Sequence, residues 1–395
     1  MNLNTNQAMV YLDYAATTPV DPAVTDAMSA CLGAAGTFGN PASIHSAGRQ
    51  AGLVVEAARD QLAGLLNCQA RELIFTSGAT ESVNLAVIGT ARFRAGRGKH
   101  LITMPTEHKA ATGAFAALER EGFDVSYLMP DERGLLPLDD LKHAIRDDTQ
   151  LVSVMHVNNE TGVIQDIASI GELCRREDIL FHVDAAQSVG KLALDLSTLP
   201  VDLLSLTAHK MYGPKGVGAL YLSDRPGCHI EPLIHGGGQE GGLRSGTLAV
   251  HQIVGLGAAA DLARSRHVED LAHLRRLRER LWAGIRRIAG ILPNAYLEDS
   301  FAGVLNVSVE EIDGESLLLA LEPVCVGTGS ACNSKSGEPS YVLRALGRSD
   351  AHAQSAIRFS FGRDTTAEEI DFTVCRYTDA VKHLRAISPA GRKTA

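Results

Sequence analysis

The chain has 395 residues, of which 45% are hydrophobic and 21% charged, a balance typical of a globular protein and not of a disordered one. Its formal net charge of −9 argues against a general role in binding nucleic acid or membrane surfaces, because both need a basic face. No apolar run is long enough to span a bilayer, and the N-terminal residues lack a signal-peptide pattern, so we expect a cytoplasmic protein.

The seven cysteines are scattered, and none forms a Cys-x-x-Cys pair. This pattern suits a reducing compartment and predicts neither a zinc ribbon nor a disulfide framework. We therefore expect most of the cysteines to be small core residues, and no resident metal.

Short apolar runs alternate with helical patterns over residues 56–222, which predicts an α/β fold with a mainly parallel sheet and helices on both faces. Five runs are predicted to be buried strands: 73–76, 100–104, 151–156, 179–183 and 203–207. Each is followed by polar or ionisable residues, and open α/β sheets bind ligands beyond the carboxyl ends of their strands. The five strand ends therefore predict one shared site.

A glycine-rich segment, residues 235–246, breaks this alternation. Beyond it, leucines and isoleucines at helical spacing predict an amphipathic helix within 261–289. Segments 305–309 and 357–360 are predicted strands. The C-terminal part is thus expected to form a smaller α+β domain.

Asp184 and Lys210 follow two of the predicted strands. A lysine amine with its ordinary pKa of ~10.4 is a poor nucleophile unless burial and neighbouring charges lower that value. Lys210, beside His209, is a candidate for a Schiff base, and Asp184 would supply the anion that a pyridine nitrogen needs. The alternative is a surface lysine and a strand-end aspartate whose hydrogen bonds are satisfied locally.

Residues 77–82, Ser-Gly-Ala-Thr-Glu-Ser, lie between a predicted strand and a helix expected to begin near Glu81. Backbone N–H groups at a helix N-terminus, with small hydroxyl side chains, form an anion site, although Ser and Thr also serve simply as caps. His108 also precedes a helical stretch, where an imidazole could stack on a flat ring, move protons or have a structural role only.

Two segments of the C-terminal part carry further candidate residues. Residues 327–337 have no apolar anchor, which predicts an exposed loop with Cys332 at its centre. Reactive thiols are exposed and have cations nearby, and Lys335 would be such a cation. Arg358 lies among apolar residues of a predicted strand, so it is either buried in an ion pair or directed at a carboxylate.

These segments together closely resemble the cysteine desulfurases, in the class V aminotransferase group of fold-type I pyridoxal-phosphate enzymes. The resemblance covers nearly the whole chain and is carried by ordered motifs: Phe-Gly-Asn-Pro at 38–41, Thr-Glu-His at 106–108, Asn-Asn-Glu-Thr-Gly at 158–162, His-Val-Asp-Ala-Ala-Gln at 182–187, His-Lys at 209–210, Arg-Ser-Gly-Thr at 244–247 and Gly-Ser-Ala-Cys at 329–332. The loop around Cys332 resembles that of the long-loop branch, which includes the iron–sulfur-cluster enzymes.

The resemblance implies a role for each candidate residue. Lys210 would form the Schiff base with pyridoxal 5′-phosphate, Asp184 would pair with the pyridine nitrogen, and His108 would stack on the ring and act in catalysis. The cofactor would also be held by Ala79, Thr80, Asn159, Gln187, Thr207, His209 and, from a second subunit, Thr247. Asn40 and Arg358 would bind the substrate carboxylate. Cys332 would attack the sulfur of cofactor-bound cysteine, leaving alanine and a persulfide.

The implied partners are L-cysteine, a sulfur-acceptor or scaffold protein and a second copy of the chain. Cys332 would contact a nascent iron–sulfur cluster only transiently. The cofactor would bind to a large domain over 22–265, while 1–21 and 266–395 would form a small domain that carries the Cys332 loop. Two other functions share this fold and cofactor: a selenocysteine lyase, and a class V transaminase, which would consume a keto acid and would not need Cys332.

Overall fold

The computed structural model describes residues 9–328 and 338–387. Its strands are β1 (Val10–Tyr11), β2 (Leu73–Thr76), β3 (His100–Thr103), β4 (Asp124–Tyr127), β5 (Thr149–Met155), β6 (Leu180–Asp184), β7 (Leu203–Thr207), β8 (Gly218–Leu222), β9 (Ile291–Pro293), β10 (Val304–Val309), β11 (Val324–Cys325) and β12 (Ile357–Ser360). Its α-helices are α1 (Pro22–Ser29), α2 (Ser46–Leu66), α3 (Ala79–Phe93), α4 (Lys109–Arg120), α5 (Leu138–Ala144), α6 (Ile167–Arg176), α7 (Val250–Ile285), α8 (Gly314–Ala320), α9 (Tyr341–Ala345), α10 (Asp350–Gln354) and α11 (Ala367–Ile387).

A seven-stranded sheet with the order β2-β8-β7-β6-β5-β3-β4 forms the centre of the fold. Only β8 runs antiparallel to its neighbours, β2 and β7, whereas the other neighbouring pairs are parallel. The predicted α/β fold with a mainly parallel sheet is therefore confirmed. The five predicted strands correspond to β2, β3, β5, β6 and β7, while β4 and β8 were not predicted.

Helices cover this sheet on both faces, because successive side chains of a strand point to opposite sides. Phe75 and Phe181 belong to a buried cluster that also contains residues of α2, α6 and the first half of α7. Their chain neighbours Ile74 and Leu180 belong to another buried cluster, shared with α3 and α4.

A second core lies around the three-stranded sheet β12-β10-β9 and includes residues of α8, α11 and the second half of α7. Val10 and Leu12 also pack into this core, and β1 pairs in parallel with β11. Helix α7 connects the two cores, with Ile253 in the first and Leu277 in the second. The predicted domain boundary at 265/266 falls inside α7 and remains a prediction.

The helix predicted within 261–289 begins earlier than expected, at Val250, and ends at Ile285. In residues 9–328 and 338–387, no helix is both long and apolar enough to cross a bilayer. The same residues contain no group of three or more His, Cys, Asp or Glu side chains placed to hold a metal ion. The six cysteines among them are free thiols.

Candidate active site

A cavity of about 510 Å³ opens at the carboxyl edge of the seven-stranded sheet, within the range of about 300–1,000 Å³ typical of small-molecule sites. It is lined by residues at or beyond the ends of five strands: Ser77, Gly78, Ala79, Thr80 and Glu81 after β2, His108 after β3, Asn159 after β5, Asp184, Ala186 and Gln187 at β6, and Thr207, His209 and Lys210 at β7. These strands point in one direction, so their ends meet at one edge.

Lys210 ends a short 3₁₀ turn, Ala208–Lys210, that directly follows β7. Within this turn, His209 Nδ1 lies 3.1 Å from Thr17 Oγ1. Burial, together with the charges of Lys210 and Lys215, lowers the pKa of His209 to about 4. The imidazole beside Lys210 is therefore neutral at pH 7.

Asp184 is the last residue of β6, and its Oδ1 accepts a hydrogen bond from the Ala186 N–H at 3.0 Å. Nearby, Glu107 is fully buried, with Oε1 accepting from the Met155 N–H at 3.0 Å and Oε2 without a partner in the described part of the chain. Burial raises the pKa of Glu107 well above its ordinary value; the bond from Met155 opposes this and the charge of Asp184 adds to it. Burial thus favours the protonated, uncharged form of Glu107 beside Asp184.

His108 is the N-cap of α4, where its Nδ1 accepts a hydrogen bond from the Ala110 N–H at 3.1 Å. Burial and then the charge of Lys210 lower the pKa of His108 below its ordinary value. Because Nδ1 is the acceptor in the neutral ring, the proton is assigned to Nε2. The cavity is therefore lined by an imidazole that can give or take a proton at a defined nitrogen.

Two side-chain amides line the same cavity. Asn159 Oδ1 is buried and has no hydrogen-bond partner among residues 9–328 and 338–387. Gln187 Nε2 donates to the Ala15 carbonyl oxygen at 2.8 Å, and Gln187 Oε1 accepts from Lys191 Nζ at 3.1 Å. A buried amide oxygen without a partner is costly, so Asn159 indicates that a ligand group belongs beside it.

The N-terminus of α3 forms the end of the cavity expected to bind an anion. The helix begins at Ala79, two residues before the predicted start, and its N-cap Gly78 has φ of +149°, a conformation that favours glycine. Glu81, in the first turn, is paired with Arg244, whose Nε lies 2.7 Å from Oε1. Burial alone would raise the pKa of Glu81, but hydrogen bonds from Arg244 and Ser77 lower it below its ordinary value. Arg244 thus offsets the carboxylate that would otherwise repel an anion at this terminus.

Arg358 on β12 is 2% exposed and forms an ion pair with Asp13. Its Nη2 donates to Asp13 Oδ1 and its Nη1 to the Asn159 carbonyl oxygen, both at 2.7 Å. The guanidinium therefore contacts the backbone of a residue that lines the cavity.

A single chain does not bring Asn40 and Thr247 to this cavity, and both residues are exposed. Asn40 lines a separate cavity with Arg59 and Glu240, and its predicted role beside Arg358 in binding the substrate carboxylate stays a prediction. Cys332 lies outside the described residues.

Comparison with known proteins identifies the family. A family model described as Aminotransferase class-V matches residues 10–372. The chain is 55% identical over 381 residues to the protein named Cysteine desulfurase IscS of Shewanella sediminis (strain HAW-EB3), covering 96% of this chain and 94% of that protein. The chain belongs to the cysteine desulfurases of the class-V aminotransferase family.

Two solved structures also match the fold. One, described as a NifS-like protein, matches with a TM-score of 0.89 and 38% identity, covering 95% of this chain and all of that one. Another, described as SspA in complex with cysteine, matches with a TM-score of 0.79 and 37% identity over 90% of this chain and 100% of that one.

Enzymes of this family depend on pyridoxal 5′-phosphate, so this chain is a pyridoxal-phosphate enzyme, as predicted. The cavity has the chemistry that this group requires. It offers the Lys210 amine, the Asp184 carboxylate, the unpartnered amide oxygen of Asn159 and, at its other end, a helix N-terminus beside Thr207.

Proposed function

We propose that this cysteine desulfurase converts L-cysteine to L-alanine in the cavity around Lys210 and that Cys332 receives the sulfur as a persulfide. The observation that carries the proposal is the convergence of Lys210, Asp184 and His108 on one cavity, in a chain 55% identical to a desulfurase along almost its whole length. L-cysteine as substrate is further supported by the related structure described as a complex with cysteine.

Pyridoxal phosphate, when bound, supplies an electron sink that lets the Cα–H bond of an attached amino acid ionise. In this proposal Lys210 holds the cofactor covalently, and the Asp184 carboxylate keeps the pyridine nitrogen protonated. Ala79, Thr80, Thr207 and His209 hold the phosphate, and Asn159 and Gln187 contact the ring substituents. Arg358, supported by Asp13, and Asn40 would bind the substrate carboxylate.

His108 would transfer protons in this proposal, and Cys332 would accept the substrate sulfur. The neutral His108 ring, with its proton on Nε2, would stack on the cofactor and would move protons to and from the substrate. Cys332 would attack the substrate sulfur as a thiolate, so that a sulfur–sulfur bond forms while the Cβ–S bond of the substrate breaks. The electron pair of the broken bond stays on Cβ, which takes a proton and becomes the methyl group of alanine. A free thiol has a pKa of ~8.5, so only a small fraction is ionised at neutral pH unless a cation such as Lys335 helps.

The protein works as a homodimer in this proposal, with Thr247 of one chain completing the phosphate site of the other. A sulfur-acceptor or scaffold protein then takes the persulfide sulfur for iron–sulfur clusters or another sulfur pathway. The same proposal includes a cytoplasmic location and transient contact of Cys332 with a nascent iron–sulfur cluster. It also divides the chain into a large domain, 22–265, and a small domain formed by 1–21 and 266–395.

Alanine formation from L-cysteine without any keto acid tests this function. The cofactor-loaded protein is expected to release alanine from L-cysteine, and sulfide once a thiol reductant is added. A transaminase would release no alanine until a keto acid is supplied, and a selenocysteine lyase would release it only from L-selenocysteine. Either of these outcomes would contradict the proposal.

A further inference from the structure

Lys191 is a partly buried lysine beside the active-site cavity that none of the chemistry above uses. Its Nζ lies 3.1 Å from Gln187 Oε1 and 5.7 Å from the centre of the Phe301 ring. No carboxylate of the described residues forms an ion pair with it. Asp270 lines the same small cavity as Lys191, but Asp270 is paired with Arg363 at 2.8 Å.

An ammonium group that is partly withdrawn from water without a counter-ion costs stability and needs a reason. Burial, followed by the charges of Lys210 and Arg358, lowers the pKa of Lys191 to about 7. The ammonium and the neutral amine both carry N–H donors, so the hydrogen bond to Gln187 is available in either protonation state.

The hydrogen bond from Lys191 helps to fix the orientation of the Gln187 side-chain amide. An amide group can turn over, exchanging its oxygen and nitrogen, unless its partners distinguish the two atoms. Lys191 donates to Oε1, and the Ala15 carbonyl oxygen can only accept, here from Nε2 at 2.8 Å. One orientation satisfies both partners, and in it Nε2 keeps a second N–H that neither of them uses.

We propose that Lys191 is a positioning residue that holds the Gln187 amide so that this second N–H is offered to an oxygen of the bound cofactor. Without Lys191, the amide has one partner fewer to fix its orientation. The carbonyl oxygen could then face the cavity and repel an oxygen of the ligand. The inference rests on the proposed function, because it takes the cavity lined by Gln187 as the pyridoxal-phosphate site.

Equilibrium binding of pyridoxal phosphate to the full-length apoprotein, followed by absorbance, tests the inference. We expect Lys191→Met to weaken binding about three- to tenfold, the effect of losing one oriented hydrogen bond. Lys99→Met is the matched control, because Lys99 Nζ also lies 5.7 Å from an aromatic ring, that of Phe123, but is exposed and does not line the cavity. Its affinity should equal that of the wild type.

Gln187→Ala, alone and combined with Lys191→Met, separates positioning from a general structural role. Because Lys191 acts through Gln187, the double variant should bind no more weakly than Gln187→Ala. The inference would be overturned if the fold-losses in cofactor affinity of the two single variants multiply in the double variant. It would also be overturned if Lys191→Met binds the cofactor as tightly as the wild type. If Lys191→Met does not fold, Lys191→Arg, which keeps a donor, should bind normally, and a loss equal to that of Gln187→Ala would overturn it. A wild-type protein that binds no pyridoxal phosphate would instead refute the proposed function.

Discussion

Burial decides the protonation states around Lys210. It lowers the pKa of His209 to about 4, lowers that of His108 and raises that of Glu107. Both histidines are therefore neutral at pH 7, and burial favours the uncharged form of Glu107. The histidines can accept a proton during a reaction without adding positive charge to the resting site.

Lys210→Ala should abolish covalent attachment of pyridoxal phosphate, because the Lys210 amine follows β7 and lines the cavity together with Asp184. Borohydride reduction and peptide mapping should find the pyridoxyl group on Lys210 in the wild type and on no lysine in the variant. Lys215→Ala, which removes another lysine that lines the cavity, should keep the adduct. A pyridoxyl group on Lys215 or Lys191 of the wild-type protein would contradict the assignment.

Residues at strand ends could be predicted from the sequence, because parallel strands bring their carboxyl ends to one edge. The ion pairs of the site could not. Arg244 lies 163 positions from Glu81, and Arg358 lies 345 positions from Asp13. Nothing in the local pattern of either arginine indicates which carboxylate the fold will bring to it.

Single side chains also connect the strands of the large sheet. His182 on β6 is fully buried, with Nδ1 2.8 Å from Ser153 Oγ on β5 and Nε2 2.9 Å from Ser205 Oγ on β7. Burial lowers the pKa of His182 to about 3, so the folded protein keeps this ring neutral.

This bridge predicts a pH-dependent stability. Below about pH 6.5 the unfolded chain protonates His182, whereas the folded chain does not. The stability linked to this group is therefore fully present above about pH 6.5 and is lost as pH falls, by about 1.4 kcal/mol per unit. Glu160, whose pKa is raised to about 7 mainly by burial, has the opposite effect, because the folded protein holds its proton.

The wild type must therefore be compared with His182→Gln, and not with itself at another pH. The free energy of unfolding of both apoproteins is measured in urea. As pH falls from about 6.5 to 5, that of the wild type should fall relative to that of His182→Gln by about 1.4 kcal/mol per pH unit. Ser169→Ala, which removes an exposed hydroxyl bonded to Asp166, serves as a control with no expected pH dependence from histidine. If the difference in unfolding free energy between the wild type and His182→Gln does not change with pH, His182 is not held neutral in the folded protein.

The elements that were not predicted lack the patterns by which secondary structure is recognised. Strand β4 has no buried residue, and Asp124 and Tyr127 at its ends are exposed. Strand β8 begins at Gly218, close to a glycine-containing turn, so its first residues lack a pattern typical of a strand. The first part of α7 contributes Val250, Ile253 and other residues to a core that also contains residues of α1, α2 and the sheet. Few of its positions are polar, so it lacks the alternation of polar and apolar residues typical of a surface helix.

At the level of the whole molecule, the segment that leads to Thr247 is firmly held although Thr247 itself is exposed. Arg59 Nη2 lies 2.8 Å from Glu240 Oε1, and Glu240 Oε2 accepts a hydrogen bond from the Phe75 N–H at 2.7 Å. The Glu240 side chain is only 2% exposed. Such an anchored segment can present Thr247 to a second chain in a defined position.

A mixed dimer tests whether Thr247 acts in the neighbouring subunit. Chains carrying Lys210→Ala and Thr247→Asp should each be inactive alone, the latter because an added carboxylate repels the phosphate. When co-expressed and purified through two different tags, the mixed dimer contains one intact site and should show about half the wild-type activity. No recovery in the mixed dimer would mean that Thr247 serves its own chain, and an active Thr247→Asp homodimer would mean that it serves neither site.

The fate of the substrate sulfur tests the central claim most directly. The cofactor-loaded wild type and Cys332→Ser are each incubated with L-cysteine, and alanine release and the mass of the Cys332 peptide are measured. We expect the wild type to release alanine and to carry one added sulfur on Cys332. Cys332→Ser should still bind pyridoxal phosphate and change its absorbance with L-cysteine, but it should release almost no alanine, because proton transfer by His108 cannot replace a sulfur nucleophile. Near-normal alanine release by Cys332→Ser would show that Cys332 is not the sulfur acceptor and that the proposed mechanism is wrong.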